Sequence, residues 1–128
     1  MKHVLAAKNL GLAVIFLWFM LGGIAHFTHP EFFVAIMPPA VPWHLEIVYI
    51  SGVFEILGAI GILIAGLRQL AGNCLILLVI CVSPANIYMW MNRQLFPDVS
   101  EIFLSLRLVV QVGLLWLIWW STRMPRAQ

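Results

Sequence analysis

The chain has 128 residues, of which 63% are hydrophobic and 9% are charged, with a formal net charge of +2 and a mean hydropathy of +1.02. Ordinary soluble domains carry about 25% charged residues. This composition excludes an ordinary soluble domain, and the small net charge argues against nucleic-acid binding. We expect an integral membrane protein.

Four apolar windows, at about 9–27, 45–67, 70–91 and 102–121, are candidate membrane spans. A spanning helix needs about 20 mostly apolar residues, and each window meets this requirement. Together they use most of the chain. The sequence therefore predicts an all-α fold, an integral membrane four-helix bundle that forms a single transmembrane domain over residues 1–128.

The charged residues divide unequally between the two sides of such a bundle. One side carries only basic residues: Lys2, Lys8, Arg68, Arg123 and Arg126. The other side carries one basic and four acidic residues: Arg93, Glu31, Glu46, Asp98 and Glu101. By the positive-inside rule, both termini are cytoplasmic. We expect a multi-pass protein of the bacterial cell (inner) membrane.

The segment at 28–44, between the first two windows, is too apolar to stand free in water. Pro30 suits the first turn of a helix, whereas Pro38, Pro39 and Pro42 cannot continue one. We therefore predict a short interfacial helix followed by an extended, proline-rich strap. The strap either seals the outer end of the bundle or forms a lid over a pocket.

The third window contains Cys74, Cys81 and Pro84. The two cysteines lie too far apart along one helix to form a disulfide with each other, and we expect both to be buried. Pro84 removes one backbone hydrogen bond, which is tolerated where a helix bends beside polar groups or a cavity.

Polar side chains interrupt all four windows at a similar depth. Glu55 is the most anomalous of them, because a charged side chain at the centre of a bilayer costs about 2.5–3.5 kcal/mol on insertion scales. The rise per residue of a helix places five polar residues in the outer half of the bilayer. These candidate pocket residues are His26, Glu55, Asn86, Arg107 and Gln111.

We expect Glu55 to pair with Arg107, because two opposite charges buried separately would each carry a large desolvation cost. The alternative is that Arg107 extends toward lipid headgroups. The layer as a whole is either a packing network that fixes helix register or a ligand pocket. A metal site would draw on residues with loose spacing, namely His26, His29, Glu31, His44 and Glu46. We expect no metal there.

Several motifs follow one another in a fixed order along nearly the whole chain. They are GGIAHF at 22–27, IMPP at 36–39, YISGVFEILG at 49–58, PANI at 84–87 and RLVVQ at 107–111. In these motifs the chain resembles the DoxX family of small four-helix membrane proteins. Ser83 stands where that family commonly has Phe, and Val109 stands where it often has Pro.

The resemblance implies the four-helix fold more strongly than any activity. Members of the family resemble a subunit of archaeal thiosulfate:quinone oxidoreductase, a component of a mycobacterial membrane oxidoreductase complex and, more distantly, a nicotinic-receptor chaperone and methylamine-utilisation membrane proteins. A shared fold does not carry one function across such a set.

The function that we expect is a non-catalytic binding or accessory subunit, whose polar pocket in the outer half of the bilayer holds a lipid-like or quinone ligand. We do not expect catalysis by the chain on its own. The alternative is a quinone-linked membrane oxidoreductase subunit that uses Glu55 or His26 for proton transfer. Quinone and lipid are the candidate cofactors. The expected partner is the lipid bilayer, and the candidate protein partners are a membrane oxidoreductase complex and a second copy of the chain.

Overall fold

The computed structural model describes residues 2–97 and 99–123. Asp98 and Arg126, which contribute to the charge asymmetry above, lie outside the described residues. Five α-helices and one 3-10 turn form in chain order: α1 Lys2–Thr28, α2 Pro30–Ala35, α3 His44–Gly61, α4 Arg68–Met91, the turn Arg93–Leu95 and α5 Glu101–Thr122. Helices α1, α3, α4 and α5 are long and apolar enough to cross a membrane. The predicted all-α membrane bundle, with a short helix between its first two spans, is confirmed, and the chain is a multi-pass membrane protein.

Helix α3 ends well before the apolar window that predicted it. It stops at Gly61, and residues 62–67 turn back toward α4 although they remain apolar. Arg68 stabilises this early end, because its Nε donates a hydrogen bond to the carbonyl oxygen of Ile62 at 2.7 Å. A basic side chain is favourable beside the last carbonyls of a helix. Hydropathy predicts where the chain stays apolar, which is not the same as where the helix ends.

The four spanning helices form a ring in the order α1, α3, α4, α5. Adjacent helices are antiparallel. The start of α1 packs on the end of α5 at Gly11 and Ser121, and the end of α1 packs on the start of α3 at Gly23 and Gly52. Helix α3 therefore has α1 and α4 as neighbours, and α5 lies diagonally across the bundle from it.

Two apolar clusters separate the bundle into two ends. The larger cluster lies at the termini end, where α1 begins and α5 finishes, and consists of Leu12, Ile15, Phe19, Ala59, Ile62, Leu75, Val79 and Ile118. The smaller cluster lies at the opposite end and consists of Ile36, Met89 and Leu104. Ile36 begins the segment between α2 and α3, here called the strap (residues 36–43), and its side chain is only 5% exposed. The strap folds into turns, with the N–H of Val41 donating to the carbonyl oxygen of Pro38 at 3.0 Å, so the predicted extended conformation is wrong. The strap thus inserts a side chain between α4 and α5, and this end of the bundle is called the strap end.

Two basic side chains at the termini end donate hydrogen bonds to neighbouring helices, one to a backbone carbonyl and one to a side-chain amide. Nζ of Lys8 donates to the carbonyl oxygen of Arg123 at 2.7 Å, and Nη2 of Arg123 donates to Oδ1 of Asn73 at 2.6 Å. Lys8 is 8% exposed. A lysine on α1 therefore caps the C-terminus of α5, where the helix dipole favours a cation.

Cys74 and Cys81 are free thiols that lie on the exposed side of α4. The expectation that they are buried is wrong. Their spacing does place both on one helical face, but it is the face that points away from the bundle. In a membrane protein such a face meets lipid, so apolar character alone cannot assign a residue to the interior.

The closest approach of backbones that we find lies between α1 and α3. A Cβ atom built on Gly23 would lie 2.7 Å from Cγ1 of Ile56 and 3.0 Å from the carbonyl oxygen of Gly52. A Cβ atom on Gly52 would in turn lie 2.8 Å from Cβ of His26. Small residues permit this kind of contact between membrane helices. The two glycines therefore set how near His26 comes to α3.

The variant Gly23→Ala should lower the free energy of unfolding by about 1–3 kcal/mol, the usual cost of overpacking. The backbone oxygen of Gly52 cannot move aside as a flexible side chain can. Gly113→Ala is the matched control, because no atom lies within 4 Å of a Cβ built there, and alanine favours a helix over glycine by about 1 kcal/mol. Thermal unfolding in detergent measures both variants, and equal melting temperatures would contradict the close contact.

Candidate functional site

The five polar residues singled out from the sequence lie between the two apolar clusters. His26 and Gln111 are buried, and Glu55, Asn86 and Arg107 are partly buried. On its helix, each of the five lies on the same face as buried residues about one turn away. All five side chains therefore point toward the interior of the bundle. The structure divides them into a pair on α1 and α3 and a network on α4 and α5.

The α1–α3 pair joins His26 and Glu55. Nδ1 of His26 lies 2.7 Å from Oε2 of Glu55 and 2.8 Å from the carbonyl oxygen of Gly22. The two side chains are only 11% and 13% exposed. Because Nδ1 carries at most one hydrogen, the two oxygens compete for it. The bond to Gly22 has the better geometry, and Oε2 of Glu55 is left buried in close contact with the ring but without a well-aligned donor among the described residues.

Glycines make room for this pair. A Cβ atom on Gly22 would lie 3.3 Å from Oε1 of Glu55, so the carboxylate occupies space that a side chain at position 22 would enter. Phe33 of α2 covers the imidazole from the strap end. Its ring stacks on that of His26 with centroids 3.9 Å apart and planes 16° apart. The pair is thus enclosed by helix backbone on two sides and by an aromatic ring above.

The α4–α5 network is a continuous chain of hydrogen bonds. Nε2 of Gln111 donates to Oγ of Ser83 at 2.6 Å and to the carbonyl oxygen of Val79 at 3.0 Å. Nδ2 of Asn86 donates to Oε1 of Gln111 at 2.6 Å. Nη2 of Arg107 donates to Oδ1 of Asn86 at 3.0 Å. The network therefore satisfies both side-chain amides and ends at a guanidinium.

Sequence reasoning left two members of this network out of the candidate pocket, Ser83 and Met89. Oγ of Ser83 donates to the carbonyl oxygen of Val79 at 2.7 Å, and Sδ of Met89 accepts from Nη1 of Arg107 at 3.3 Å. The spacing of Ser83 and Asn86 on one helical face was a usable signal for the serine. A thioether that accepts a hydrogen bond leaves no such signal, because methionine is most often a packing residue.

Arg107 does not pair with Glu55 as expected from the sequence. The ion pairs among residues 2–97 and 99–123 are His26 with Glu55 and Arg93 with Glu101. Glu55 points toward α1, and α5 lies diagonally across the bundle from α3. The guanidinium of Arg107 is left with an amide oxygen and a thioether sulfur as its described contacts.

His26 and Arg107 lie at nearly the same height. Gly11 and Ser121 are in contact on the antiparallel helices α1 and α5. The number of residues from Gly11 to His26 on α1 equals the number from Ser121 back to Arg107 on α5, to within one residue. The pair and the network therefore belong to one layer, although no hydrogen bond in the described part of the chain joins them.

The α2–strap segment covers both parts of the layer. Phe33 lies on His26, and Ile36 packs in one cluster with Met89, the residue that receives a hydrogen bond from Arg107. Two open depressions on the surface of the described residues lie elsewhere, near the α4–α5 connection and on the outer surface of α5, and none of the five candidate residues lines them. Among the same residues, no group of three His, Cys, Asp or Glu side chains is placed to hold a metal ion.

A protein-family model described as "Domain of unknown function (DUF8561)" matches residues 13–124. The chain belongs to this family. The matched segment includes parts of all four spanning helices and every residue of the polar layer. No curated protein matches the chain. No solved structure matches it. The DUF8561 description assigns no activity, so the function has to be argued from the layer itself.

Two double-mutant cycles distinguish the observed pairing from the one expected from the sequence. Residues in contact couple by about 0.5–3 kcal/mol, whereas separate sites add to within about 0.5 kcal/mol. Glu55→Gln combined with His26→Gln should therefore be non-additive, and Glu55→Gln combined with Arg107→Gln should be additive. The free energy of unfolding in detergent measures both cycles. If only the cycle of Glu55 and Arg107 were non-additive, the observed pairing of Glu55 with His26 would be wrong.

Proposed function

We propose that the chain is a DoxX-like, non-catalytic binding or accessory subunit of the bacterial inner membrane, built as one transmembrane domain with both termini in the cytoplasm. The orientation is supported by the basic residues at the termini end: Lys2, Lys8, Arg68 and Arg123. In this orientation the strap end faces outward, and the polar layer lies in the outer half of the bilayer.

The guanidinium of Arg107 carries the proposal of a ligand. It offers five N–H donors, of which the described residues engage one at Asn86 and one at Met89. A cation within a membrane span usually meets an anion or lines a path for one. A ligand oxygen with full or partial negative charge, such as a quinone carbonyl or a lipid phosphate, would supply the absent partner. His26, Glu55, Asn86 and Gln111 would line the same space.

Ligand entry requires the strap to move, which makes the strap a lid in this proposal. Nε2 of His44, at the start of α3, lies 3.1 Å from the carbonyl oxygen of Pro38 and ties the strap to that helix by one hydrogen bond. Over the layer itself, the side chains of Phe33 and Ile36 are held by apolar and stacking contacts. Such contacts separate without leaving a buried polar group unsatisfied. The strap can therefore open at a smaller cost than any of the four spanning helices.

The test is whether ligand binding depends on the guanidinium of Arg107. Arg107→Gln should weaken binding of a short-chain ubiquinone, or of phosphatidylglycerol, by about tenfold or more. A hydrogen bond to a charged group contributes about 1.5–3 kcal/mol, and 1.4 kcal/mol is tenfold in affinity. Native mass spectrometry of protein released from lipid nanodiscs would compare retention of the two probes.

Lys2→Gln is the control, because it removes a positive charge from an exposed side chain at the termini end, outside the layer. Retention of both probes by the Arg107 variant at the wild-type level would reject Arg107 as the binding group. Failure of the wild-type protein to retain either probe would reject ligand binding in this layer.

A quinone-linked oxidoreductase subunit is the second candidate, favoured by the 2.7 Å contact between Nδ1 of His26 and Oε2 of Glu55. Reduction of a quinone to a quinol takes up two electrons and two protons. A partner redox subunit would supply the electrons. The imidazole and the carboxylate can exchange a proton directly, so Glu55 or His26 would deliver the protons.

In membranes from cells that carry the chain, Glu55→Gln should lower quinone reduction by about 100-fold or more, the usual contribution of a positioned acid or base. Glu46→Gln is the control, because Glu46 is exposed in the first turn of α3. Quinone reduction that persists in the Glu55 variant, or that is unchanged in membranes without the chain, would exclude this candidate.

A further inference from the structure

We propose that the strap end of α4 and α5 binds a phospholipid with a primary ammonium headgroup, in a site separate from the polar layer. The headgroup lies in a cavity of about 450 Å³ between the end of α4 and the start of α5, whose polar lining residues are Arg93, Gln94 and Glu101. The cavity sits at one end of the spanning helices, at the level where headgroups lie in a bilayer.

A second cavity, of about 320 Å³, adjoins the first. Glu101 lines both of them. The remaining lining residues are Ile102, Ser105, Leu106 and Val109, which follow one face of α5 from its start into the membrane. All four are exposed on the bundle surface. A polar cavity at the membrane surface that continues into an apolar groove matches the headgroup and acyl chain of one phospholipid.

The two charged side chains that the described residues place in the headgroup cavity match a zwitterion. Nε of Arg93 lies 3.3 Å from Oε1 of Glu101, and the side chains are 44% and 68% exposed. A guanidinium binds phosphate oxygens with two parallel hydrogen bonds, and a carboxylate accepts from an ammonium group. A phosphate bound to Arg93 and an ammonium group bound to Glu101 would therefore replace the contact that these two side chains now make with each other.

The side chain of Arg93 is already held in place for this role. Its Nη1 donates to the carbonyl oxygen of Trp90 at 3.3 Å, and its guanidinium lies 5.8 Å from the centroid of the Trp90 ring. Tryptophan commonly lies at headgroup level in membrane proteins. An exposed ion pair contributes little to stability, so Arg93 and Glu101 separate readily to admit a headgroup.

The choice among lipids follows from Glu101. Its carboxylate accepts hydrogen bonds from the primary ammonium of phosphatidylethanolamine. The quaternary ammonium of phosphatidylcholine has no N–H group to donate. The carboxylate also repels the net negative charge of phosphatidylglycerol. The site should therefore prefer phosphatidylethanolamine over both of the other lipids.

The experiment reconstitutes the intact chain in nanodiscs with equal amounts of phosphatidylethanolamine, phosphatidylcholine and phosphatidylglycerol, and measures by native mass spectrometry which lipids remain bound. The wild-type protein should retain phosphatidylethanolamine about fivefold over each of the others, the factor that corresponds to about 1 kcal/mol. The three lipids compete within one sample. A misfolded fraction would lose all three alike and would leave their ratio unchanged.

Two variants separate the roles of the charges. Glu101→Gln should abolish the preference for phosphatidylethanolamine while total retention persists, and Arg93→Gln should lower the retention of all three lipids. Glu46→Gln is the control, because Glu46 is an exposed acid in the first turn of α3 that lines neither cavity, and the variant should leave the lipid ratio unaltered. Equal retention of the three lipids by the wild-type protein, or an unaltered ratio in the Glu101 variant, would overturn the proposal. Neither result bears on binding at Arg107.

Discussion

The close approach of α1 and α3 at Gly23 and Gly52 determines the rest of the polar layer. It brings the imidazole of His26 within 2.7 Å of the carboxylate of Glu55 and so determines which side chain lies beside the acid in the bundle. Since Glu55 then points to α1, Arg107 has no carboxylate beside it among the described residues. A contact between two glycines thus leaves a cation on the opposite side of the bundle with donors that the described residues do not engage.

The α4–α5 half of the layer meets a different constraint, which is that no water is present in a bilayer core to satisfy polar groups. The side-chain amide of Gln111 is satisfied because it donates to a backbone carbonyl and a hydroxyl of α4. Asn86 extends this chain of hydrogen bonds to Arg107. Gln111 and Asn86 therefore have the properties of a packing network. Arg107, at the end of that network, keeps N–H donors that the described residues do not use, and Glu55 leaves a buried carboxylate oxygen without a well-aligned donor. The proposed ligand would bind at these two charged residues rather than at the two amides.

The architecture could be predicted from the sequence because long apolar windows and proline positions specify spans and breaks locally. The start of α5 also has a local cause, because Oγ of Ser100 accepts from the backbone N–H of Phe103 at 3.1 Å, the bond that a serine N-cap makes. The partner of Glu55 was not predictable. Counting residues gives the height of a side chain in the membrane, but it does not tell which helices are neighbours in the ring. The exposed positions of Cys74 and Cys81 were missed for a related reason, since lipid and protein interior are equally apolar.

The division of the core into two apolar clusters gives the bundle unequal local stability. Proteins open in units whose free energies range from near zero up to that of global unfolding. The strap-end cluster contains three buried residues, and the cluster at the termini end contains eight and also has the carbonyl caps of Lys8 and Arg68 beside it. Hydrogen exchange should therefore be fastest in α2 and the strap. The half of the bundle that anchors the fold is therefore the half that lies away from the strap, where we propose that a ligand enters.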